Sequence, residues 1–200
     1  MAYAKAVIAT AEKALATPIR KDAVFAAGFS NGAMFTHRLG CQLSSVFRGI
    51  FTHSGLLTYG DAAKEDQGFT EEQCRLDDPN YKPLSVLAVL GFADRTIKME
   101  PLKDLETNQP CGCQEWDPCY WNGFNQTRDH WVAKNRCDLS KVTRYQPFQS
   151  KGMLDPNTYC TKYTECMGGT VVEFCSDGDL VHWWHRFFSH KMLAWFASLL

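Results

Sequence analysis

The chain has 200 residues, 45% of them hydrophobic and 22% charged, with a formal net charge of -1. That composition excludes a disordered chain and predicts one domain over residues 1–200, long enough for a sizeable core. Basic and acidic residues balance at 21 against 22 without a run of like charge, which excludes a nucleic-acid footprint or an anionic-membrane patch and points to a small neutral partner.

Ala4, Val7, Ile8, Ala11 and Leu15 fall at helical spacing and predict a helix over 2–16, closed by Pro18. Lys5, Glu12 and Lys13 interrupt the apolar runs of residues 1–17, so this segment does not read as a signal peptide. "AVFAAG" (23–28) is a short apolar run of the kind a strand buried on both faces shows, and a helix follows in "NGAMFTHRLGCQLS" with Met34, Leu39 and Leu43 on one side. "FRGIFTHSG" (47–55) and "LSVLAVLGFAD" (84–94) repeat the apolar run with a Gly or Asp exit, as parallel strands would. Residues 56–82 and 95–124 are long polar stretches and read as loop insertions with a functional use. "NQTRDHWVAKNR" (125–136) predicts a helix capped by Asn125, "KVTRYQPF" an alternating strand, and "GTVVEFCSD" (169–177) a further strand. "HWWHRFFSHKMLAWFASLL" closes the chain as a core helix, too short and too interrupted by His185, Arg186, His190 and Lys191 to span a membrane. Strands alternating with helices predict an α/β fold with a mainly parallel sheet.

Nine cysteines at irregular spacing form no paired C-x-x-C elements, and the histidines do not sit beside them at ligand spacing. They read as disulfides rather than a metal site, and so as a chain from an oxidising, extracellular compartment. Cys111, Cys113 and Cys119 form the one tight cluster, and the odd total leaves one thiol over.

Gly28-Phe29-Ser30-Asn31-Gly32 lies where the first strand meets its helix. A G-x-S-x-G turn there projects the serine hydroxyl above the sheet, with small flanking residues relieving the crowding, and sets the Asn31 backbone N–H to face an oxyanion. Such a serine needs a histidine oriented by a carboxylate, in the chain order Ser, Asp or Glu, His. Asp94, after the strand 84–91, is the predicted acid, with Asp104 and Asp117 behind it. His182, after the strand 170–176, is the predicted base. His185 and His190 lie on the closing helix, while His37 and His53 precede Asp94; His53 ends the strand beside the turn and is a candidate pocket residue.

"GFSNGAMFTHRLGCQ", "PLSVLAVLGFADRTI", "DHWVAKNRCD", "YTECMGGTVVEF" and "DGDLVHWW" together resemble the secreted α/β-hydrolase esterases grouped with polyhydroxybutyrate depolymerases and feruloyl esterases, in family order over most of residues 3–196. The resemblance implies an α/β-hydrolase-type sheet with flanking helices, Ser30 as nucleophile, Asp94 as acid and His182 as base, with no metal or organic cofactor. It also implies secretion and an ester substrate, either a feruloylated plant polysaccharide or a polyhydroxyalkanoate, and a Cys137–Cys166 disulfide. The chain departs from the pattern at Leu90-Gly91, where the family shows His-Gly, and at Val181-His182-Trp183-Trp184-His185, where it shows Gly-His-x-Trp-Pro. Family members carry several strands before the helix that precedes the elbow strand, and a loop among them supplies a second oxyanion donor. The chain thus reads as an N-terminally truncated member lacking the first strands. The alternatives are a catalytically inactive hydrolase-fold binding module and a peptidase using the same triad.

Overall fold

The computed structural model describes residues 1–15, 18–59, 71–100, 120–121, 123–146, 158–184 and 186–200. Helix α1 (Ala2–Ala14) precedes strand β1 (Phe25–Phe29), helix α2 (Asn31–Gln42) and strand β2 (Gly49–His53). Strands β3 (Thr58–Tyr59), β4 (Ser85–Gly91) and β5 (Tyr120–Trp121) follow, then helix α3 (Phe124–Lys134). Strands β6 (Val142–Tyr145), β7 (Tyr159–Tyr163) and β8 (Val172–Asp177) and helix α4 (Arg186–Ser198) complete the described chain.

Six strands form one mixed sheet in the order β1-β2-β4-β8-β7-β6. β1, β2, β4 and β8 are parallel, so their carboxyl ends share one edge of the sheet, while β7 and β6 run antiparallel beyond β8. β2 and β4 lie between parallel neighbours and are buried at every residue, as their continuous apolar runs require. Side chains alternate between two cores. Ile50, Val86, Ala88, Leu90, Val172 and Phe174 face the layer holding Leu39 of α2 and Trp131 of α3. Phe51, Leu87, Val89 and Cys175 face Trp195 of α4. An α/β sandwich with helices on both faces of a mostly parallel sheet follows.

Several expectations need correction. β1 is not buried on both faces, for only Ala26 among its residues is buried; the strand ends the described sheet and has one strand neighbour there. α1 ends at Ala14 and buries none of its residues, with Val7 and Leu15 exposed. Asn125 is inside α3 and does not cap it: Gly123 holds the cap position and its carbonyl accepts the Thr127 N–H, while the Met99 carbonyl accepts that of Phe124. α4 is one-sided, with Trp195 buried and Leu193 exposed. The two insertions are tied together by β3 and β5, which pair antiparallel through Thr58–Trp121 and Tyr59–Tyr120. β7, which the pattern of the sequence did not single out, is the strand that joins the antiparallel extension to β8.

Six cysteines pair as Cys41–Cys74, Cys137–Cys166 and Cys160–Cys175. The first fastens α2 to the turn at 71–74, the second joins the end of α3 to the segment after β7, and the third crosses between β7 and β8. Such pairing fits an extracellular protein. Cys111, Cys113 and Cys119 lie outside the described residues. No helix among the described residues is long and apolar enough to cross a membrane.

Candidate active site

β1 ends at the sheet edge where the chain must turn at once into α2. Ser30 occupies that turn with φ 54° and ψ -123°, backbone angles outside the usual regions for an L-residue. Backbone hydrogen bonds hold it there: the Ser30 N–H donates to the His53 carbonyl at 2.9 Å, and the Ser30 carbonyl accepts from Ala33 at 2.9 Å and Met34 at 3.1 Å. The two glycines of the turn differ in what they do. A Cβ on Gly28 would stand 2.1 Å from the Gly32 carbonyl oxygen and 2.6 Å from Thr36 Oγ1, whereas a Cβ on Gly32 would meet nothing within 4 Å. Only Gly28 is required by close approach, which corrects the expectation that both flanks relieve crowding. Asn31 opens α2, and its backbone N–H belongs to the first turn of the helix, where amide groups lack intrahelical acceptors.

Asp94 sits just beyond β4, 4% exposed. Its Oδ1 accepts the backbone N–H groups of Thr96 and Ile97, each at 2.8 Å. These bonds offset the cost of burying a carboxylate and fix which oxygen faces outward. The turn is joined to the end of β8 by the Phe92 N–H, which donates to the Asp177 carbonyl at 2.8 Å, and it lies close against the segment beyond, for a Cβ on Gly91 would fall 1.8 Å from the Leu180 oxygen.

β8 is separated from β1 by β4 and β2, so the segment after Asp177 must fold back over the sheet edge to reach the serine. It does. His182 Nδ1 lies 2.8 Å from Asp94 Oδ2, and His182 Nε2 lies 3.0 Å from Ser30 Oγ. A carboxylate only accepts, so Nδ1 carries a proton, and in the neutral ring the Nε2 lone pair then faces the serine hydroxyl. The three predicted site residues therefore form one continuous relay, with the acid sealed from solvent and the imidazole side chain 21% exposed. In that arrangement the histidine can take a proton from Ser30 as its oxygen attacks an electrophile, while Asp94 orients the ring and stabilises the imidazolium.

Comparison of the chain with protein-family models and with curated proteins finds no match.

The remaining candidates fall elsewhere. Asp104, Asp117 and His185 lie outside the described residues, and His190 is on the exposed side of α4. His37 is wholly buried in α2 and accepts a 3.0 Å hydrogen bond from Trp131 Nε1 at its Nδ1. His53 is fully buried at the end of β2, and with it come two residues the sequence reading passed over, Phe29 and Trp184. Their rings pack against the imidazoles of His53 and His182, with Phe29 5.0 Å from His182 and Trp184 5.4 Å from His53 between centroids. An aromatic at the variable position of the G-x-S-x-G turn and another two residues after the base were the visible signals. Two groups of side chains among the described residues could offer metal ligands, Cys41, Cys74 and His130 and Cys160, Glu173 and Cys175, but each cysteine pair is a disulfide and supplies no thiolate.

Burial sets a pH limit on the fold. It pushes His37 down to about 3, against a smaller opposing effect of the Gly55 backbone, and His53 down to about 4, with Asp94 pulling it the other way. His130 is likewise lowered to about 4 by burial, with Lys134 adding to the shift. The unfolded chain takes up these three protons near the ordinary imidazole value and the folded chain does not. Their contribution is therefore complete above about pH 6.5 and is lost as the pH falls toward 4, at up to about 1.4 kcal/mol per pH unit for each histidine. The urea midpoint is expected to drop steeply between pH 7 and pH 5; an unchanged midpoint across that interval would contradict the buried neutral state of these rings.

Proposed function

We propose that the protein is a serine-dependent carboxylic ester hydrolase acting through an acyl-enzyme on Ser30. The observation that carries this reading is the bridge made by His182, with Ser30 Oγ on one ring nitrogen and Asp94 Oδ2 on the other. The Ser30 oxygen attacks the ester carbonyl while His182 Nε2 takes its proton. The Asn31 N–H at the start of α2 faces the developing oxyanion. His182 then gives the proton to the leaving alkoxide, and the acyl group remains on Ser30. Water, deprotonated by His182, attacks the acyl carbonyl, and the collapse of the second tetrahedral intermediate releases the acid and restores the serine. Asp94 keeps the ring in the required tautomer throughout.

The strained serine at a strand-to-helix turn, the order Ser30, Asp94, His182 along the chain and the parallel sheet support an α/β-hydrolase reading. So does the resemblance to secreted polyhydroxybutyrate depolymerases and feruloyl esterases. Three disulfides fit the secreted compartment that this reading implies. Exposed apolar side chains within two residues of the triad in sequence, Phe92 before Asp94 and Val181 and Trp183 beside His182, suit an apolar or aromatic ester, as feruloyl groups and polyesters provide.

Hydrolysis of p-nitrophenyl acetate and methyl ferulate by the oxidised chain beside its Ser30→Ala variant tests the proposal. Turnover should vanish in the variant while its fold is retained. Equal, background-level rates from two folded samples would overturn the esterase reading and favour an inactive binding module.

A further inference from the structure

His182 is delivered by residues 178–184, which follow β8 without regular secondary structure. Its two relay hydrogen bonds are made at Nδ1 and Nε2, which flank one ring carbon, so the axis from Asp94 to Ser30 runs along one edge of the imidazole. Two such bonds resist sliding along that axis but only weakly resist rotation of the ring about it. The bonds at the two nitrogens of a five-membered ring are not collinear, so rotation tilts both the Nδ1–H and the Nε2 lone pair off their partners, and a hydrogen bond weakens steeply with misalignment. Something else must hold the face of the ring.

We infer that Phe29 is a positioning residue of the triad, the plate on which the His182 imidazole rests, and that His53 and Trp184 brace the plate. This inference rests on the proposed hydrolase reading. The Phe29 and His182 rings lie 5.0 Å apart between centroids and are inclined by 38°, so the faces meet obliquely. His53 lies 5.3 Å from Phe29 at 37° and is its register partner across β1 and β2. The His53 carbonyl accepts the Ser30 N–H at 2.9 Å, so the same residue braces the plate and the nucleophile. Trp184 stands edge-on to this group, 6.1 Å from Phe29 at 81° and 5.4 Å from His53 at 73°. Its own ring N–H donates to Ser189 Oγ at 3.1 Å, which ties the brace to α4. The plate has electrostatic value as well as shape. An aromatic face carries negative charge density and favours the imidazolium that forms when His182 takes the serine proton. A second imidazole beside that cation would oppose it if charged, and burial holds His53 neutral, at about 4.

The test compares Phe29→Leu, Phe29→Tyr and the unaltered chain by steady-state ester hydrolysis and by proton NMR of the far-downfield resonance of His182 Nδ1–H. Misplacement of a catalytic group costs on the order of 10- to 100-fold. Phe29→Leu should therefore lower kcat by about that factor with KM little changed, and should broaden or remove the downfield proton. Phe29→Tyr keeps the ring and should restore both. A folded Phe29→Leu protein with the parent's kcat and downfield proton would overturn the inference. So would a tyrosine variant as impaired as the leucine one. If Phe29→Leu does not fold, Trp184→Leu decides on the same two readings, since it removes the brace without touching β1. The proton signal separates the two levels of the account: absence of Ser30-dependent turnover in the parent defeats the hydrolase reading, whereas a downfield proton indifferent to these substitutions defeats the positioning role.

Discussion

On the proposed function, Asp94→Asn is expected to lower kcat for ester hydrolysis by about 10⁴-fold while leaving KM and thermal stability nearly unchanged. The cause lies in how the carboxylate is held. Oδ1 accepts two backbone N–H groups, from Thr96 and Ile97, and only Oδ2 faces His182. An asparagine keeps those backbone bonds only if its carbonyl oxygen takes the Oδ1 position, and its NH₂ then points at His182 Nδ1. A donor at that place selects the tautomer with the proton on Nε2, so the lone pair that should receive the serine proton is gone. Steady-state kinetics of the purified variant checks this. A fall of less than about tenfold would mean that Asp94 buries its charge for structural reasons and does not set the state of His182.

The paired substitutions Gly28→Ala and Gly32→Ala should have opposite consequences although the two glycines bracket the same serine. At Gly28 the added carbon would collide with the Gly32 carbonyl at 2.1 Å, a backbone group that cannot swing aside. Either the turn opens, carrying Ser30 away from His182, or the protein loses stability as overpacked cores do, by about 1–3 kcal/mol and occasionally more. At Gly32 the space is open and the position lies in the first turn of α2. Alanine there should leave stability unchanged or raise it by up to about 1 kcal/mol, the difference in helix propensity. Thermal melts of the two variants in parallel decide the matter, and equal destabilisation would contradict the geometry of the turn.

The parts of the site that were legible in the sequence are those fixed by local rules. Ser30 announced itself because the turn between a parallel strand and its helix can be tight only with a residue like Gly28 before the serine. Asp94 and His182 could be named because each follows an apolar run, and parallel runs deliver whatever follows them to one edge of a sheet. What escaped was set by contacts between distant segments. β7 reads "YCTKY", with only Cys160 and Tyr163 buried, and its place is decided by pairing with β8 on one side and β6 on the other. The ribbon of β3 and β5 joins two pairs of residues across most of both insertions, and no local pattern encodes that. β1 looked doubly buried because an apolar run says nothing about whether a neighbour lies on each side. Asn125 has the composition of a cap, yet the chain enters α3 one residue earlier and satisfies the first turn from Met99 and Gly123. Phe29 was hidden in plain view, since its partners His53, His182 and Trp184 meet it only once β1, β2 and the segment after β8 are assembled.

On the proposed function, Ser30 is a nucleophile activated by His182 and Asp94. The most direct measurement is intact-mass analysis of the folded, oxidised chain after exposure to a fluorophosphonate, beside Ser30→Ala and His182→Ala. A single phosphonyl adduct that maps to Ser30, absent from the first variant and strongly slowed in the second, is the predicted result. A parent chain that stays unmodified under conditions that label a known serine esterase, or an adduct that persists in Ser30→Ala, would contradict it.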